Sequence, residues 1–344
     1  MTDTLIRKTG RAGRITLNRP KALNALTHEQ VLSIEDALDE WATDPEVRLV
    51  VIDAAGEKAF CAGGDITALY EAGRAGDLEG PRRFWREEYR LNAKMATYAK
   101  PIVTFMQGFT MGGGVGIGCH ASHRVVGDSS RIAMPECGIG LVPDVGGSFL
   151  LARGPGFLGE YLGTTAHRMG PACAIRATFA DHYIPEDQWP ELIAGLEEDG
   201  IVQLVADRAR DPGESPLTAL QDRIDAHFGK DSMAEIASSL DSEDSDFARD
   251  ALKALARVSP LSACVTIDLV RAVRAKLTIH HALEMEYRFT HRAVEKGDFL
   301  EGIRAAVIDK DRNPRWQHDG IADVAQAQID EMLAPLGASE EETT

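Results

Sequence analysis

The sequence has no long apolar run, few cysteines and a shortage of basic residues. No stretch approaches the roughly 20 uninterrupted apolar residues that a membrane-spanning helix needs, so we expect no membrane segment. The five cysteines are widely spaced without a CxxC pair, which argues against a disulfide framework and a cysteine-based zinc site. Lys and Arg number 37 against 54 Asp and Glu, and this net charge of −17 argues against a nucleic-acid partner.

Signatures of several common chemistries are also absent. There is no Ser-His-Asp order, no GxSxG elbow and no HExxH helix. Residues 112–118 contain overlapping glycine spacings but lack a first-strand position followed by an acidic residue in the right context for a dinucleotide site, so NAD binding is set aside. The N-terminus resembles neither a secretory signal nor a transit peptide. We therefore expect a cytoplasmic protein, or a mitochondrial matrix protein if a presequence was removed.

Strand and helix patterns alternate along the first part of the chain, and helical periodicity dominates the rest. Residues 13–17 alternate as a strand, Thr27 and Gln30 have the spacing of a capping box, and residues 49–52 are typical of a buried strand. Residues 102–106 form another predicted strand, and helical spacing is clearest over residues 261–277 and 281–295. These patterns predict an α/β domain over residues 1–200, a helical region over 201–335 and a disordered tail over 336–344.

Two glycine-rich turns each follow a predicted strand. They are Ala62-Gly63-Gly64-Asp65 and Met111-Gly112-Gly113-Gly114. Glycine lets the backbone approach a ligand closely, and one amide from each turn could stabilise the oxyanion that forms when an acyl carbonyl is attacked. Glycines at strand-to-helix turns are more often structural, so spacing alone leaves both interpretations open. His120 and His123 follow the second turn, and we assign them no role.

Acidic residues in apolar surroundings are the second candidate feature. Glu136 and Asp144 lie in an almost uncharged segment with two prolines and four glycines, and Glu88 falls on the apolar face of a helix predicted over residues 81–97. Buried acids are unfavourable unless they are paired or used in catalysis. The structural alternatives are a turn cap for Glu136 and, for Asp144, the N-cap of a helix beginning near Val145.

Four ordered motifs together resemble the enoyl-CoA hydratase/isomerase, or crotonase, superfamily. They occupy residues 18–26, 60–66, 108–114 and 134–147. The resemblance implies an α/β (α+β) fold, a crotonase-like spiral of ββα units with a C-terminal helical extension. It also implies an acyl-CoA substrate whose thioester oxygen sits between the amides of Gly64 and Gly113, with no metal and no separate cofactor.

The chain departs from the hydratases of this superfamily at one acidic position. Those enzymes use two glutamates; the second matches Glu136, whereas Gly116 stands at the position of the first. The departures resemble the 3-hydroxyisobutyryl-CoA hydrolases, a subfamily with an acid matched by Asp144 and a Glu-Glu-Tyr-x-Leu-Asn helix matched by residues 87–92. This resemblance continues past residue 200 and is weakest over 210–255.

The subfamily resemblance implies hydrolysis of a short 3-hydroxyacyl-CoA, with 3-hydroxyisobutyryl-CoA of valine breakdown first and 3-hydroxypropionyl-CoA second. Glu136 would act as a nucleophile or as the base that activates water, Asp144 would share its proton network, and Glu88 would receive the 3-hydroxyl. These three acids and Gly113 would bind the substrate. An enoyl-CoA isomerase or hydratase and a non-catalytic CoA-binding protein are the alternatives.

Coenzyme A phosphates need local cations in so acidic a chain. The candidates are Arg19 and Lys21, in the loop after the first predicted strand. The alternative interpretation is that both are solvated loop charges without a ligand. Superfamily relatives commonly form trimers or pairs of trimers, and the sequence leaves the oligomeric state open.

Overall fold

The computed structural model describes residues Thr2–Gly337, so residues 338–344 of the predicted tail lie outside the described residues. The chain divides into two compact units, and each unit is assembled from three segments. The first contains residues up to Gly64, Arg90–Ala133 and Arg168–Thr218; the second contains Asp65–Tyr89, Met134–His167 and the residues from Ala219 onward. The prediction of separate domains over residues 1–200 and 201–335 stays a prediction.

The first unit contains the strands of the described chain, arranged in two sheets. One sheet has six strands in the order β1-β2-β3-β5-β7-β9, and the other has three in the order β4-β6-β8. Only β1 and β2 pair antiparallel. The strands are β1 Thr4–Thr9, β2 Ala12–Leu17, β3 Leu49–Ala54, β4 Ala59–Cys61, β5 Ile102–Met106, β6 Phe109–Met111, β7 His123–Val126, β8 Arg131–Ala133 and β9 His182–Tyr183.

Consecutive strands from β3 to β8 alternate between the two sheets. Each pair contributes one strand to the large sheet and the next to the small one, and helices follow the first two pairs. This is the repeated ββα arrangement that the resemblance implies. Because β4 and β6 are parallel neighbours, the segments that follow them leave the small sheet at the same edge. Edge strand β1 has no match among the predicted strands, because its mostly exposed side chains carry little apolar periodicity.

Helices occur in both units, and the second unit contains no strand among the described residues. They are α1 His28–Thr43, α2 Ile66–Arg74, α3 Glu79–Ala96, α4 Gly113–Gly118, α5 Gly147–Ala152, α6 Leu158–Thr165, α7 Pro171–Arg176, α8 Trp189–Asp199, α9 Gln203–Arg208, α10 Pro216–Phe228, α11 Met233–Asp241, α12 Asp246–Leu255, α13 Pro260–Ala275, α14 Ile279–Lys296, α15 Phe299–Ile303 and α16 Gln326–Leu333. The predicted capping box at Thr27 and Gln30 is present at the start of α1. Helical periodicity correctly located α13 and α14.

Each unit has its own buried apolar core. In the first, side chains of the large sheet such as Val51 and Phe105 pack against Trp189 and Leu196 of α8. In the second, Trp85 of α3 contacts Phe299 of α15 with ring centroids 5.3 Å apart. Within residues 2–337, no helix combines the length and the apolar character that crossing a membrane requires.

Candidate active site

The three predicted acids all lie in the helical unit, and the structure brings them into electrostatic contact. Glu88 is on α3, Glu136 opens a short 3₁₀ helix over Glu136–Ile139, and Asp144 lies in the loop before α5. Their side chains are almost fully buried, with exposed fractions of 3%, 5% and 5%. The second unit therefore contains an acidic cluster, which we define as Glu88, Glu136, Asp144 and a fourth acid, Glu286.

Glu136 is a buried carboxyl with an unpaired oxygen. Its Oε2 atom has no hydrogen-bond partner among the described residues, although it is inaccessible to solvent. Burial raises the pKa of Glu136 well above the usual glutamate value, and the nearby charge of Asp144 raises it further. The protonated form of Glu136 is therefore favoured up to a higher pH than that of an ordinary glutamate.

Asp144 is held through its side chain by a tyrosine. The Tyr89 hydroxyl donates a hydrogen bond of 2.8 Å to Oδ2 of Asp144 and lies 3.4 Å from the hydroxyl of Thr290. Burial raises the pKa of Asp144 to about 7, although the bond from Tyr89 and a backbone N–H favour its charged form. The N-cap of α5 is Gly146 and not Asp144, so the capping alternative for this carboxyl is wrong. Asp144 is thus able to change its charge at neutral pH.

Glu88 resembles Glu136 in its surroundings. Its Oε1 atom is also buried without a hydrogen-bond partner in the described chain. Burial raises the pKa of Glu88 well above its usual value, and the charge of Asp144 adds to this effect. An unpaired buried carboxyl is able to donate a hydrogen bond to a ligand hydroxyl or to accept one from it.

Glu286 is the acid that sequence reasoning missed. It is fully buried on α14, and its carboxylate accepts hydrogen bonds from the backbone N–H of Gly146 at 2.8 Å, from the N–H of Ser148 at 3.0 Å and from the Ser148 hydroxyl. Burial raises its pKa to about 8 against these favourable bonds. The available signal was a carboxylate among buried apolar positions of a periodic helix, the same signal that singled out Glu88.

The charge balance of the acidic cluster limits how many of its members can ionise together. Within residues 2–337, no Lys, Arg or His side chain forms a hydrogen bond or ion pair with any of its four carboxyls. Negative charges close together in a dry site raise each other's pKa. The cluster is therefore built to keep and exchange protons. None of the described residues form a group of three or more His, Cys, Asp or Glu placed to hold a metal ion.

The two glycine turns lie side by side in the strand-bearing unit. Strands β4 and β6 pair in parallel, with Cys61 opposite Thr110, and each turn follows directly. Gly63 has φ +118° and Gly112 has φ +50°, backbone conformations that residues with a Cβ rarely adopt. The hydrogen bonds of the described residues include none donated by the N–H groups of Gly64 or Gly113. Both amides are thus available to an acceptor, whereas their use as an oxyanion hole stays a prediction.

The two candidate cations differ in their contacts. The Arg19 guanidinium donates to the carbonyl of Ala25 at 2.6 Å and pairs with Asp3 at 3.4 Å, so it has structural bonds. Lys21 lines a surface pocket of about 530 Å³ together with Lys58, which the sequence reading did not select. Asn24 shapes this pocket by donating to the carbonyls of Ala55 and Ala59, and the other residues lining it are Pro20, Leu23, Gly56 and Glu57.

The known proteins that resemble this chain belong to one family, but their names describe different reactions. The sequence profile of the enoyl-CoA hydratase/isomerase family matches residues 12–333. The chain is 39% identical to the mitochondrial 3-hydroxyisobutyryl-CoA hydrolase of Gallus gallus, over 97% of this chain and 89% of that protein. It is 36% identical to the one of Homo sapiens, over 98% and 90%.

Solved structures agree with this family. A structure described as an enoyl-CoA hydratase from Rhodobacter sphaeroides 2.4.1 is 54% identical, covers 98% of both chains and has a TM-score of 0.93. One described as a carnitinyl-CoA dehydratase from Mycobacterium thermoresistibile is 40% identical with the same coverage and TM-score. The predicted crotonase-like α/β fold is confirmed. The chain belongs to the enoyl-CoA hydratase/isomerase, or crotonase, family of acyl-CoA-processing enzymes.

Proposed function

We propose that this chain hydrolyses the thioester of a short 3-hydroxyacyl-CoA, with 3-hydroxyisobutyryl-CoA as the first substrate. The observation that carries the proposal is the acidic cluster, in which burial raises the pKa of Asp144 to about 7 and raises that of Glu136 well above its usual value. Relatives that match almost the full chain have the name of this hydrolase. The names of these relatives place them in mitochondria, whereas the cytoplasmic or matrix location of this chain stays a prediction.

The proposed reaction begins with a proton transfer inside the acidic cluster. Asp144 ionises at neutral pH and accepts the proton of Glu136, which leaves the Glu136 carboxylate ready to react. Because the Glu136 oxygen has no hydrogen-bond partner in the described chain, this carboxylate is a strong base or nucleophile. Because burial raises the pKa values of both groups, the cluster retains a proton that these two carboxyls exchange.

Two routes follow from the Glu136 carboxylate. In the first, it attacks the acyl carbon, the C–S bond breaks, and water then cleaves the acyl anhydride. In the second, it takes a proton from water, whose oxygen attacks the acyl carbon directly. In both, the departing CoA thiolate takes the proton held by Asp144, which returns that residue to its charged form. The products are the free 3-hydroxy acid and CoA thiol.

Three further groups have roles in this proposal. The N–H groups of Gly64 and Gly113 receive the thioester oxygen as it becomes negative, an effect of a few kcal/mol at the transition state, about 3 for one donor. The unpaired oxygen of Glu88 binds the 3-hydroxyl. Lys21 and Lys58 attract CoA phosphates at the pocket that they line. Arg19 stays a weaker candidate because of its bonds to Ala25 and Asp3.

A hydratase or isomerase is the second candidate, and the 54% identical structure described as a hydratase favours it. Gly116 argues against hydration, because hydratases of the family have a glutamate at this position. The acidic cluster argues against isomerisation, which can proceed with a single carboxylate. A binding protein without catalysis has no use for unpaired buried acids.

Thiol release from 3-hydroxyisobutyryl-CoA, measured beside hydration of crotonyl-CoA, tests the proposal. We expect rapid thiol release and negligible hydration. The Glu136→Gln variant should lose thiol release by about 10²- to 10⁴-fold while it still binds CoA, because it lacks the reacting carboxylate. Hydration faster than thiol release by the unaltered enzyme would refute the hydrolase assignment.

A further inference from the structure

Glu286 differs from the other members of the acidic cluster because its hydrogen bonds go to one short backbone segment. Its Oε2 atom accepts from Gly146 N–H at 2.8 Å, and Oε1 accepts from Ser148 N–H at 3.0 Å. The Ser148 hydroxyl donates to Oε1 as well. These three hydrogen bonds to the fully buried carboxylate therefore all come from residues two and four positions after Asp144.

The segment that Glu286 holds has an unusual backbone conformation. Val145 has φ +55° and Gly146 has φ +75°. A β-branched residue in the left-handed region is strained, and such a conformation persists only where surrounding contacts enforce it. The N–H of Gly147 donates to the carbonyl of Asp144 at 2.7 Å and closes the turn. The backbone path that determines where Asp144 lies thus depends on the contacts of Gly146 and Ser148.

The same face of α14 also acts on the Asp144 side chain. Thr290, one helical turn after Glu286, contacts the Tyr89 hydroxyl at 3.4 Å, and Tyr287 packs edge-on against the Tyr89 ring at 6.3 Å. Tyr89 in turn donates to Asp144. One helix therefore fixes Asp144 from two directions, through its backbone and through its carboxyl group.

We propose that Glu286 is a positioning residue that sets the place of the Asp144 carboxyl by bonding the left-handed turn after it. This inference rests on the proposed hydrolase function, in which Asp144 gives its proton to the departing thiolate. The hydrogen bonds of Glu286 go to Gly146 and Ser148 and not to the carboxyl groups of Glu136 or Asp144. Its carboxylate has two oxygens aimed at two N–H groups, so an amide side chain would turn a donor toward one of them.

The Glu286→Gln variant tests this role through the rate of thiol release. We expect kcat to fall by about 10- to 100-fold with KM unchanged, since a displacement near 1 Å is enough to lose this much. Glu160→Gln is the matched control. Glu160 is an equally buried carboxylate of the same unit, paired with Arg274 at 2.7 Å, and its loss should lower stability but leave kcat of the folded enzyme unchanged.

A double-mutant cycle separates positioning from general structural support. If Glu286 acts through Asp144, adding Glu286→Gln to Asp144→Asn should lower kcat no further. Multiplying losses would overturn the proposal. Should Glu286→Gln not fold, Ser148→Ala removes one donor to Glu286 and leaves the backbone, and the same cycle applies to it.

A measurement without substrate keeps this inference distinct from the hydrolase assignment. Carboxyl ¹³C NMR of aspartate-labelled protein reports the titration of Asp144, which is identified by its absence in Asp144→Asn. We expect Glu286→Gln to move this titration and Glu160→Gln to leave it unchanged. An unmoved Asp144 titration would overturn the positioning role even if thiol release is observed. Absent thiol release in the unaltered enzyme would refute the hydrolase alone.

Discussion

The Tyr89 hydroxyl donates a hydrogen bond of 2.8 Å to Oδ2 of Asp144. Both groups are buried in the helical unit, and this bond is the one side-chain hydrogen bond that Asp144 accepts within residues 2–337. A hydrogen bond to the charged form of a carboxyl stabilises that form and lowers its pKa. Tyr89 therefore opposes burial, which raises the pKa of Asp144 to about 7.

Replacing Tyr89 with Phe should shift the pH dependence of the rate to higher pH. Without the hydroxyl the pKa of Asp144 rises, so the charged form that accepts the Glu136 proton appears only at higher pH. We expect the acidic limb of the pH profile of kcat/KM to move upward from about pH 7. At pH 7 we expect roughly a tenfold loss of kcat/KM, the value of a hydrogen bond to a charged group.

Tyr161→Phe is the control for this prediction. Tyr161 is another buried tyrosine of the same unit, and its hydroxyl lies 3.2 Å from His167. Its replacement removes a tyrosine hydroxyl without touching Asp144, so the pH profile should keep its shape. An unchanged acidic limb in Tyr89→Phe would contradict the assignment of that limb to Asp144.

Replacing Glu136 with Gln should stabilise the protein, and more so at high pH. The folded-state pKa of Glu136 is raised well above its unfolded value, so its contribution to stability is fully present below the unfolded pKa and is lost as pH rises through the folded pKa. An amide does not titrate. The Tm advantage of Glu136→Gln over the unaltered protein should therefore grow between pH 5.5 and pH 8.5, measured by thermal unfolding.

Asp181→Asn provides a comparison of opposite sign. Although burial raises it, hydrogen bonds and charge from Arg124 hold the pKa of Asp181 below its usual value. Its stabilising contribution is present above the unfolded pKa, so both test pH values should show a similar loss of Tm. A Tm difference for Glu136→Gln that stays the same at both pH values would mean that Glu136 is ionised in the folded protein across this range.

The sequence predicted the fold well where local pattern and motif agreed. The strand at residues 102–106, the capped helix α1 and the helices α13 and α14 follow from periodicity and capping chemistry. The edge strand Thr4–Thr9 did not, because its stability comes from backbone pairing with β2 and not from a buried face.

The acids of the site were predictable as chemistry but not as a network. Glu88, Glu136 and Asp144 stood out because each is a charge in apolar surroundings. Glu286 has the same character, yet its partner Gly146 lies 140 positions away in sequence, and no local pattern encodes such a contact. Pairing between distant residues is decided by tertiary packing, which a single sequence does not reveal.

Replacing Gly114 with Ala should damage the second glycine turn. A Cβ at Gly114 would lie 2.2 Å from the carbonyl oxygen of Cys61, far inside van der Waals contact and against rigid backbone. The start of α4, including the Gly113 amide, must shift away from the first turn. We expect lower kcat by about 10²-fold or more, as for loss of an oxyanion donor, together with a lower Tm.

Gly170→Ala is the matched control in the same unit. A Cβ there meets no atom within 4 Å and the backbone φ is −76°, so the substitution fits without strain. It should leave kcat unchanged and alter stability by less than about 1 kcal/mol, because the gain from a less flexible unfolded chain opposes the loss of a glycine N-cap. If Gly114→Ala keeps full activity, the Gly113 amide has no role in the reaction.

Replacing Lys21 and Lys58 with Ala should weaken binding of the nucleotide end of the substrate. Both side chains line the 530 Å³ pocket and are exposed, so each should contribute modestly and in a salt-dependent way. We expect the double variant to raise KM for the CoA thioester by about two- to tenfold at low salt, with kcat unchanged. The corresponding pantetheine thioester lacks the nucleotide phosphates, and its KM should not change. Arg19→Ala should lower Tm instead, because its guanidinium bonds Ala25 and Asp3. Equal KM increases for both thioesters would place the CoA phosphates elsewhere on the molecule.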